Sequence, residues 1–349
     1  KAGQYVGFSL VNFLVDFAMK LYFIVSLGKG IEGYFASSAI ANMLTVGMMI
    51  PAVAKHVKLS FDPREFKQLL TLGLPYVFSG IAVWTIDVSD RLLLNHFSGE
   101  ATVGIYSVAY NFANIFKVLL ATPAALLVDP FFFGFAAARP EADTRNLLRR
   151  MLIYSFLAGG VLYLGIALSS GEVLRILIAD FGAKKEYLEA ASLVPILTLA
   201  PFIYFLAMPS ILGGLWVKKP EVFSVACVWA AALNAGLNFL VIPRFGAFGA
   251  AVTTVMAYLL LLGLSYGRLE KFLRGGYEWK KVARVALYLA LAFTIGWQMA
   301  LDQPLASLLA RATVGILVFA ILALFIGGIL TKVERDRIFV YPVKSKAKG

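Results

Sequence analysis

The chain has 349 residues, of which 60% are hydrophobic and only 15% charged, and its mean hydropathy is +0.81. This composition excludes an ordinary water-soluble globular protein, because it contains far more apolar surface than a soluble fold can bury. The net charge of +12 does not indicate a nucleic-acid partner, since the Lys and Arg residues lie in short runs between apolar segments. The single cysteine, Cys227, excludes an intrachain disulfide.

Ten apolar stretches meet or approach the roughly 20 residues that a membrane-spanning helix needs. We predict helices over residues 5–27, 33–54, 69–89, 103–127, 148–169, 188–215, 221–242, 247–267, 282–301 and 305–330. The connections at 28–32 and 243–246 are short Gly or Pro turns, so the helices on either side of each should pack as antiparallel hairpins. The sequence therefore predicts an all-α, polytopic membrane protein.

The distribution of basic residues predicts the orientation of these helices. If residue 1 is cytoplasmic, 23 Lys and Arg residues lie in the cytoplasmic segments and seven lie in the segments on the other side. Because Lys and Arg concentrate in cytoplasmic loops, this bias predicts ten spans with both ends of this chain in the cytoplasm. The remaining two of the 32, Lys20 and Lys117, are assigned to the interior of helices.

An internal repeat appears when the chain is shifted by 216 residues. Gly30 and Gly33 then align with Gly246 and Gly249, and the pair 37–38 (Ser-Ser) aligns with 253–254 (Thr-Thr). Both copies read as helix, tight turn and helix, which indicates two related lobes with a site between them, as in secondary transporters. By this symmetry the first lobe lacks four N-terminal helices, which agrees with a chain that opens on Lys and not on Met.

Three segments carry a resemblance to a known family: Asp90–Tyr110 (DRLLLNHFSGEATVGIYSVAY), Asn238–Thr254 (NFLVIPRFGAFGAAVTT) and the shorter Leu72–Pro75 (LGLP). The chain resembles the oligosaccharide flippases, or polysaccharide transporters, of the multidrug, oligosaccharidyl-lipid and polysaccharide export superfamily. The resemblance extends to about residue 330. It implies a two-lobed bundle that moves polyprenyl-pyrophosphate-linked sugars by alternating access, with neither a cofactor nor an enzymatic activity.

The repeat and the resemblance together predict the domain organisation. Some family members have two additional C-terminal helices. The expected parts are the last two helices of the N-terminal lobe (1–54), a cytoplasmic linker (55–68), a six-helix C-terminal lobe (69–269), the two additional helices (279–330) and a basic cytoplasmic tail (331–349).

Polar residues inside the membrane are the candidates for function, because a charge at mid-bilayer costs about 2.5–3.5 kcal/mol on insertion scales. In the first helix, Asn12, Asp16 and Lys20 are spaced by four residues and share one face. Lys20 is a candidate for binding pyrophosphate, and Asp16 is a candidate for ion coupling. The alternative is an internal ion pair that only eases insertion.

The fourth helix has the most informative stripe. Tyr106, Tyr110, Asn114 and Lys117 share a face, and Asn111 is adjacent. We predict that the tyrosines stack on sugar rings, that the two asparagines bind sugar hydroxyls and that Lys117 pairs with phosphate. Interhelical packing, with Lys117 reaching the membrane surface, is the alternative.

The third helix ends with Asp87, Asp90 and Arg91. We interpret Asp90 and Arg91 as a structural ion pair, and Asp87 as a second candidate for coupling to H⁺ or Na⁺. Asn234 and Asn238, spaced by four residues, are interpreted as interhelical hydrogen-bonding groups. The two histidines lack the spacing of a zinc site, so no metal is predicted.

The predicted function is export of a lipid-linked oligosaccharide through a cationic cavity between two lobes. The expected partners are this substrate, membrane lipids, H⁺ or Na⁺ as coupling ion, and a glycan polymerase or glycosyltransferases. A drug/cation antiporter of the same superfamily is one alternative. A membrane-embedded glycosyltransferase or polysaccharide ligase is another, but the longest outer loop, about 170–187, shows no recognisable catalytic spacing.

Overall fold

The computed structural model describes residues 2–54, 61–181, 185–273, 276–326 and 328–329. All secondary structure of these residues is helical. The α-helices are α1 (Ala2–Lys20), α2 (Gly30–Ala54), α3 (Pro63–Phe116), α4 (Thr122–Ala138), α5 (Glu141–Phe181), α6 (Ala190–Leu206), α7 (Met208–Trp216), α8 (Glu221–Leu273), α9 (Trp279–Gln298) and α10 (Pro304–Ile321). Short π-helical segments follow α1, α3 and α10, and a 3₁₀ turn precedes α6.

Six stretches of the described residues are long and apolar enough to cross a membrane. They are Gly30–Pro51, Pro63–Ala138, Glu141–Ala179, Lys185–Trp216, Glu221–Lys271 and Pro304–Phe325. Two of them are bent at a glycine, so the six contain eight of the ten predicted segments, and the other two predicted segments correspond to α1 and α9. The predicted all-α, multi-pass membrane class is confirmed.

The two bends allow single long helices to fold back on themselves. Gly99 divides α3 at a φ of 81°, and Gly246 divides α8 at a φ of 52°. This left-handed region of φ is open to glycine but strained for residues with a Cβ. Each helix therefore has two arms, as the short turn predicted at 243–246 requires.

The core of the C-terminal part is built around α5, which packs against α6, α9 and α10. Close approach depends on small residues: a Cβ at Gly159 would lie 2.6 Å from a ring carbon of Phe202, and one at Gly160 would lie 2.8 Å from Phe319. Small residues permit such contact between helices inside a membrane. Consequently α9 and α10, predicted as additional helices, are packed closely on α5.

The chain divides into two compact units, residues 1–67 and 68–349. In the first unit, α1 and α2 pack together, and the Asn12 amide on α1 donates a hydrogen bond to the Thr45 hydroxyl on α2 at 2.9 Å. Helix α3 begins at Pro63, within the predicted linker. Residues 55–60 of that linker and the predicted tail, 331–349, lie outside the described residues. The finer domain boundaries stay a prediction.

Candidate functional site

A fully buried carboxylate, Asp90, lies at the centre of a polar network in the second unit. Its oxygens accept hydrogen bonds from the hydroxyls of Tyr106 and Thr254, both at 2.6 Å, and from the amide of Asn238 at 2.7 Å. Asp90 and Tyr106 belong to the two arms of α3, whereas Asn238 and Thr254 belong to the two arms of α8. One carboxylate therefore joins four helical arms.

Ser89, Asn234 and Thr253 hold the Asn238 amide in place beside Asp90. The Asn238 amide also donates to the Asn234 carbonyl oxygen at 3.2 Å, and Ser89 donates to the same oxygen at 3.0 Å. The Thr253 hydroxyl donates a short hydrogen bond to Asn238. The interpretation of Asn234 and Asn238 as interhelical hydrogen-bonding groups is confirmed.

The Asp90 network lacks a cation within the described part of the chain, where no ion pair to this carboxylate is found. An uncompensated charge is costly in the membrane interior. A carboxylate in this setting is stable when it is protonated or when it lies beside a small cation.

A second polar site lies one turn away, where Lys117 pairs with Asp87. The ammonium and carboxylate are 3.1 Å apart, and the two side chains are 33% and 26% exposed. The Tyr258 hydroxyl donates to Asp87 at 3.3 Å, and Lys117 reaches the Tyr110 hydroxyl at 3.5 Å. The cavity between these groups, which Asn114 also lines, has a volume of about 10 Å³. This conformation therefore has room for a water molecule and not for a sugar.

The structure brings together some of the predicted substrate-binding residues and separates others. Tyr110, Asn114 and Lys117 line the small cavity. Tyr106 is completely buried and its hydroxyl is bound to Asp90, so its ring has no free face for a sugar. Asn111 lies on an exposed face of α3, away from this cavity. The common stripe predicted for the fourth helix thus divides between two neighbouring environments.

The predicted ion pair between Asp90 and Arg91 differs from the contacts that these residues make. Adjacent residues on a helix point about 100° apart, so they face different neighbours. The Arg91 guanidinium lies over the ring of Tyr110, 4.4 Å from its centre, whereas Asp90 faces α8. Arg91 is thus held by a cation–π contact, and its predicted pairing with Asp90 is corrected.

In the first unit, Asp16 and Lys20 pair with each other. The Lys20 ammonium lies 2.6 Å from one Asp16 oxygen, and the Ser38 hydroxyl of α2 donates to the other oxygen at 2.9 Å. Lys20 also lies over the Tyr34 ring at 4.3 Å. Both charged side chains are about one-quarter exposed, at 25% and 23%. The i,i+4 spacing thus brings the two charges together as an ion pair, and both side chains stay partly exposed at the surface of the unit.

The internal repeat has local counterparts in both units. Gly30 and Gly246 both have positive φ, 49° and 52°. Eight residues later, Ser38 donates to Asp16 in one unit and Thr254 donates to Asp90 in the other. Each copy therefore places a hydroxyl, at the same distance from its turn, on a carboxylate of a neighbouring helix.

Sequence reasoning missed the role of Thr254 and Tyr258 as partners of the two carboxylates. A signal was present in the alignment of Ser38 with Thr254, since a hydroxyl that recurs in a repeat near intramembrane acids is a candidate partner for them. Tyr258 follows Thr254 by four residues and therefore extends the same face of α8. Nothing in the sequence connected that face with α3.

Comparison with known proteins places this site in a wider context. A family model described as polysaccharide biosynthesis protein matches residues 6–135. The chain is 27% identical over 256 residues to an uncharacterised membrane protein of Methanocaldococcus jannaschii, covering 71% of this chain and 48% of that protein. It is 24% identical over 221 residues to the probable multidrug resistance protein NorM of Rhizobium meliloti, covering 60% and 45%.

A third relative and a solved structure point in the same direction. The probable flippase AglR of Haloferax volcanii is 26% identical over 179 residues, covering 49% of this chain and 35% of AglR. The structure titled lipid II flippase MurJ, in an inward closed conformation, matches 95% of this chain and 67% of its own, with a TM-score of 0.66 and 15% identity, which shows a shared fold. The chain spans no more than about half of these curated relatives. Its resemblance to polysaccharide and lipid-linked flippases of the superfamily is confirmed.

Proposed function

We propose that the protein moves a polyprenyl-pyrophosphate-linked oligosaccharide across the cytoplasmic membrane by alternating access between two lobes. The family match, the relative named a probable flippase and the fold shared with a lipid II flippase support transport of a lipid-linked substrate. The observation that carries the proposal is Lys117, a cation in a membrane-spanning helix. It is paired with Asp87, one-third exposed and flanked by Tyr110 and Asn114.

Lys117 can exchange its partner during transport. A pyrophosphate has more negative charge than one carboxylate, so it can compete with Asp87 for the ammonium when the cavity opens. Tyr110 and Asn114 then offer an aromatic face and an amide to the attached sugar. Lys20, held by Asp16 in the first unit, is the second proposed phosphate ligand. The proposal assigns the glycan to Tyr110 and Asn114, because Tyr106 and Asn111 lie away from the cavity.

Export of surface polysaccharide in cells that depend on the full-length protein tests this assignment. Lys117→Ala should reduce export about tenfold or more, the loss expected for one charged contact, while Lys117→Arg should retain part of it. Lys281→Ala is the matched control, because Lys281 pairs with Glu278 at the start of α9. Normal export by both Lys117→Ala and Lys20→Ala at normal protein levels would refute the site.

We assign the coupling ion, H⁺ or Na⁺, to Asp90. Asp16 and Asp87, the acids predicted for this role, are each neutralised by a lysine, whereas Asp90 has hydrogen-bond donors and no cationic partner within the described residues. Asp90→Asn should therefore abolish the response of transport to an imposed pH or Na⁺ gradient in proteoliposomes. An unchanged gradient response in folded Asp90→Asn protein would exclude this assignment.

The remaining proposed properties concern the surroundings of the transporter. The substrate's lipid tail stays among membrane lipids, the protein performs no catalysis, and a glycan polymerase or glycosyltransferases act beside it. The C-terminus is proposed to lie in the cytoplasm. A cysteine placed at Lys281, in a chain without Cys227, should react with an impermeant reagent from the cytoplasmic side only. Labelling from the opposite side would show that the proposed topology is inverted.

A drug/cation antiporter is the second candidate. It is favoured by the Asp90 carboxylate, which has no cationic partner among the described residues, and by the similarity to a probable multidrug resistance protein. Antiporters of organic cations need an acidic group that alternates between cation and drug. Efflux of ethidium from cells expressing the full-length protein distinguishes the two functions. Efflux that depends on Asp90 and not on Lys117 would favour the antiporter.

A further inference from the structure

A cavity of about 170 Å³ lies between α4, α6 and α7 of the second unit, apart from the two sites described above. Ala121 and Ala125, one turn apart, leave this space because their side chains are small. Asp129 continues the same face of α4 by four more residues. The far wall is formed by Tyr204 and Phe205 of α6, with Met208 at the start of α7.

The Asp129 carboxylate is the unusual feature of this cavity. Its Oδ1 atom is shielded from solvent and has no hydrogen-bond partner among the described residues. Asp16, Asp87 and Asp90, by contrast, all have lysine, hydroxyl or amide partners. A carboxylate oxygen that is shielded from water and has no partner is costly, and native proteins rarely keep one unless an ion, a water or a ligand satisfies it; the Asp129 side chain as a whole is half-buried.

The walls of the cavity indicate which ligand would satisfy the carboxylate. Aromatic faces such as those of Tyr204 and Phe205 attract cations, and a thioether such as that of Met208 adapts to apolar groups. A Ca²⁺ or Mg²⁺ ion would require six or more oxygen ligands, whereas this lining contains one carboxylate and one tyrosine hydroxyl. The lining therefore suits an organic ammonium better than a metal ion.

The volume sets the size of the ligand. A cavity of about 150 Å³ lined by apolar side chains holds a benzene molecule, so the volume here suits about six to eight non-hydrogen atoms. We propose that this cavity binds a monovalent organic cation of that size, whose ammonium pairs with Asp129 and whose apolar part packs against the Tyr204 and Met208 side of the lining. The cavity shares no lining residue with the one beside Lys117. Asp129 is twelve residues from Lys117, or about 18 Å along a helix, and Ala121 at the other end of the cavity is one turn from it.

Binding of benzylammonium to the full-length protein in nanodiscs, measured by titration calorimetry, tests the proposal. Benzylammonium should bind saturably with one molecule per chain. Benzyl alcohol, a neutral molecule of the same size, should bind with an affinity about tenfold lower, or not at all. Asp129→Asn, which keeps the shape of the side chain, should lower the affinity for benzylammonium by a similar factor. Asp143→Asn is the matched control, since Asp143 is an exposed acid in the first turn of α5.

A second variant separates the cavity from the charge. Ala125→Leu fills the space and should abolish benzylammonium binding while Asp129 is intact, with folding checked by thermal unfolding. Three results would overturn the proposal: no saturable binding to the unmodified protein, equal affinity for benzyl alcohol, or undiminished binding to Asp129→Asn. Because lipid-linked substrate transport is assigned to Lys117, transport by Asp129→Asn should stay normal whether or not the cation site exists.

Discussion

The two units use the same local element around their carboxylates in different ways. In the first, Asp16 accepts a hydrogen bond from Ser38 and is neutralised by Lys20 on its own helix, with about one-quarter of its surface exposed. In the second, Asp90 accepts the corresponding bond from Thr254 but is fully buried. The difference shows that a local ion pair can keep a membrane acid accessible, whereas a tertiary network can bury one without a cation.

The largest difference between the units should appear when each carboxylate is removed. Asp90→Ala removes the shared acceptor of three buried donors. The Tyr106 hydroxyl is left without an acceptor, at a cost of about 1–3 kcal/mol, whereas Thr254 and Asn238 keep Ala250 and Asn234 as acceptors. We expect severe loss of folded protein, measured by thermal unfolding in detergent and by protein level in membranes. Asp16→Ala should lower the melting temperature much less. Equal losses for the two variants would break the comparison.

Removing only the hydroxyl that donates to each carboxylate should give a smaller difference in stability, in the same direction. Thr254→Val keeps the shape of the side chain and removes a hydrogen bond to a buried carboxylate, a loss of about 1.5–3 kcal/mol. Ser38→Ala should have less effect, because Lys20 still holds Asp16. Denaturant unfolding of both variants provides the measurement. A larger effect of Ser38→Ala would contradict the expectation that Asp90 relies more on its hydroxyl donor than Asp16 does.

The two turns should respond alike, because Gly30 and Gly246 both have a positive φ near 50°. Gly30→Ala and Gly246→Ala each place a Cβ in the left-handed region, at a cost of about 1–2 kcal/mol. Steric contact does not add to this cost. A Cβ at Gly246 would lie 3.7 Å from Ser98 Oγ, its nearest neighbour, and a Cβ at Gly30 would have no atom within 4 Å. Similar shifts in unfolding midpoint are expected. Very different shifts would mean that the turns are not equivalent.

The smallest effect is expected for a neutral replacement of the local pair. Asp16→Asn combined with Lys20→Met leaves no unpaired charge, so the protein should unfold close to the unmodified melting temperature. Lys20→Met alone leaves Asp16 without its cation and should unfold earlier. A double variant that is no more stable than this single variant would show that Asp16 and Lys20 do not depend on each other.

The sequence predicted the helical segments well because twenty-residue apolar runs and short Gly turns are local properties. The pair of Asp16 and Lys20 could also be anticipated, since i,i+4 spacing alone brings the two groups together. The environment of Asp90 could not, because its donors come from positions up to 164 residues away. Tyr106 was grouped with Lys117 by helical spacing and Asn111 as a neighbour of that face. The tertiary structure buries Tyr106 against Asp90 and leaves Asn111 on an exposed face.

Composition and periodicity by themselves determined that this chain is a multi-pass helical membrane protein, and glycines at fixed spacing from recurring hydroxyls determined its repeated turns. The tertiary structure decided which acids are paired with a lysine and which are buried among neutral hydrogen-bond donors. It paired Lys117 with Asp87, surrounded Asp90 with donors from three other helical arms, and placed Asp129 beside a cavity lined by aliphatic and aromatic side chains. The physical reason is that apolar pattern depends on neighbours along one helix, whereas the cost of a buried charge depends on every helix that packs around it.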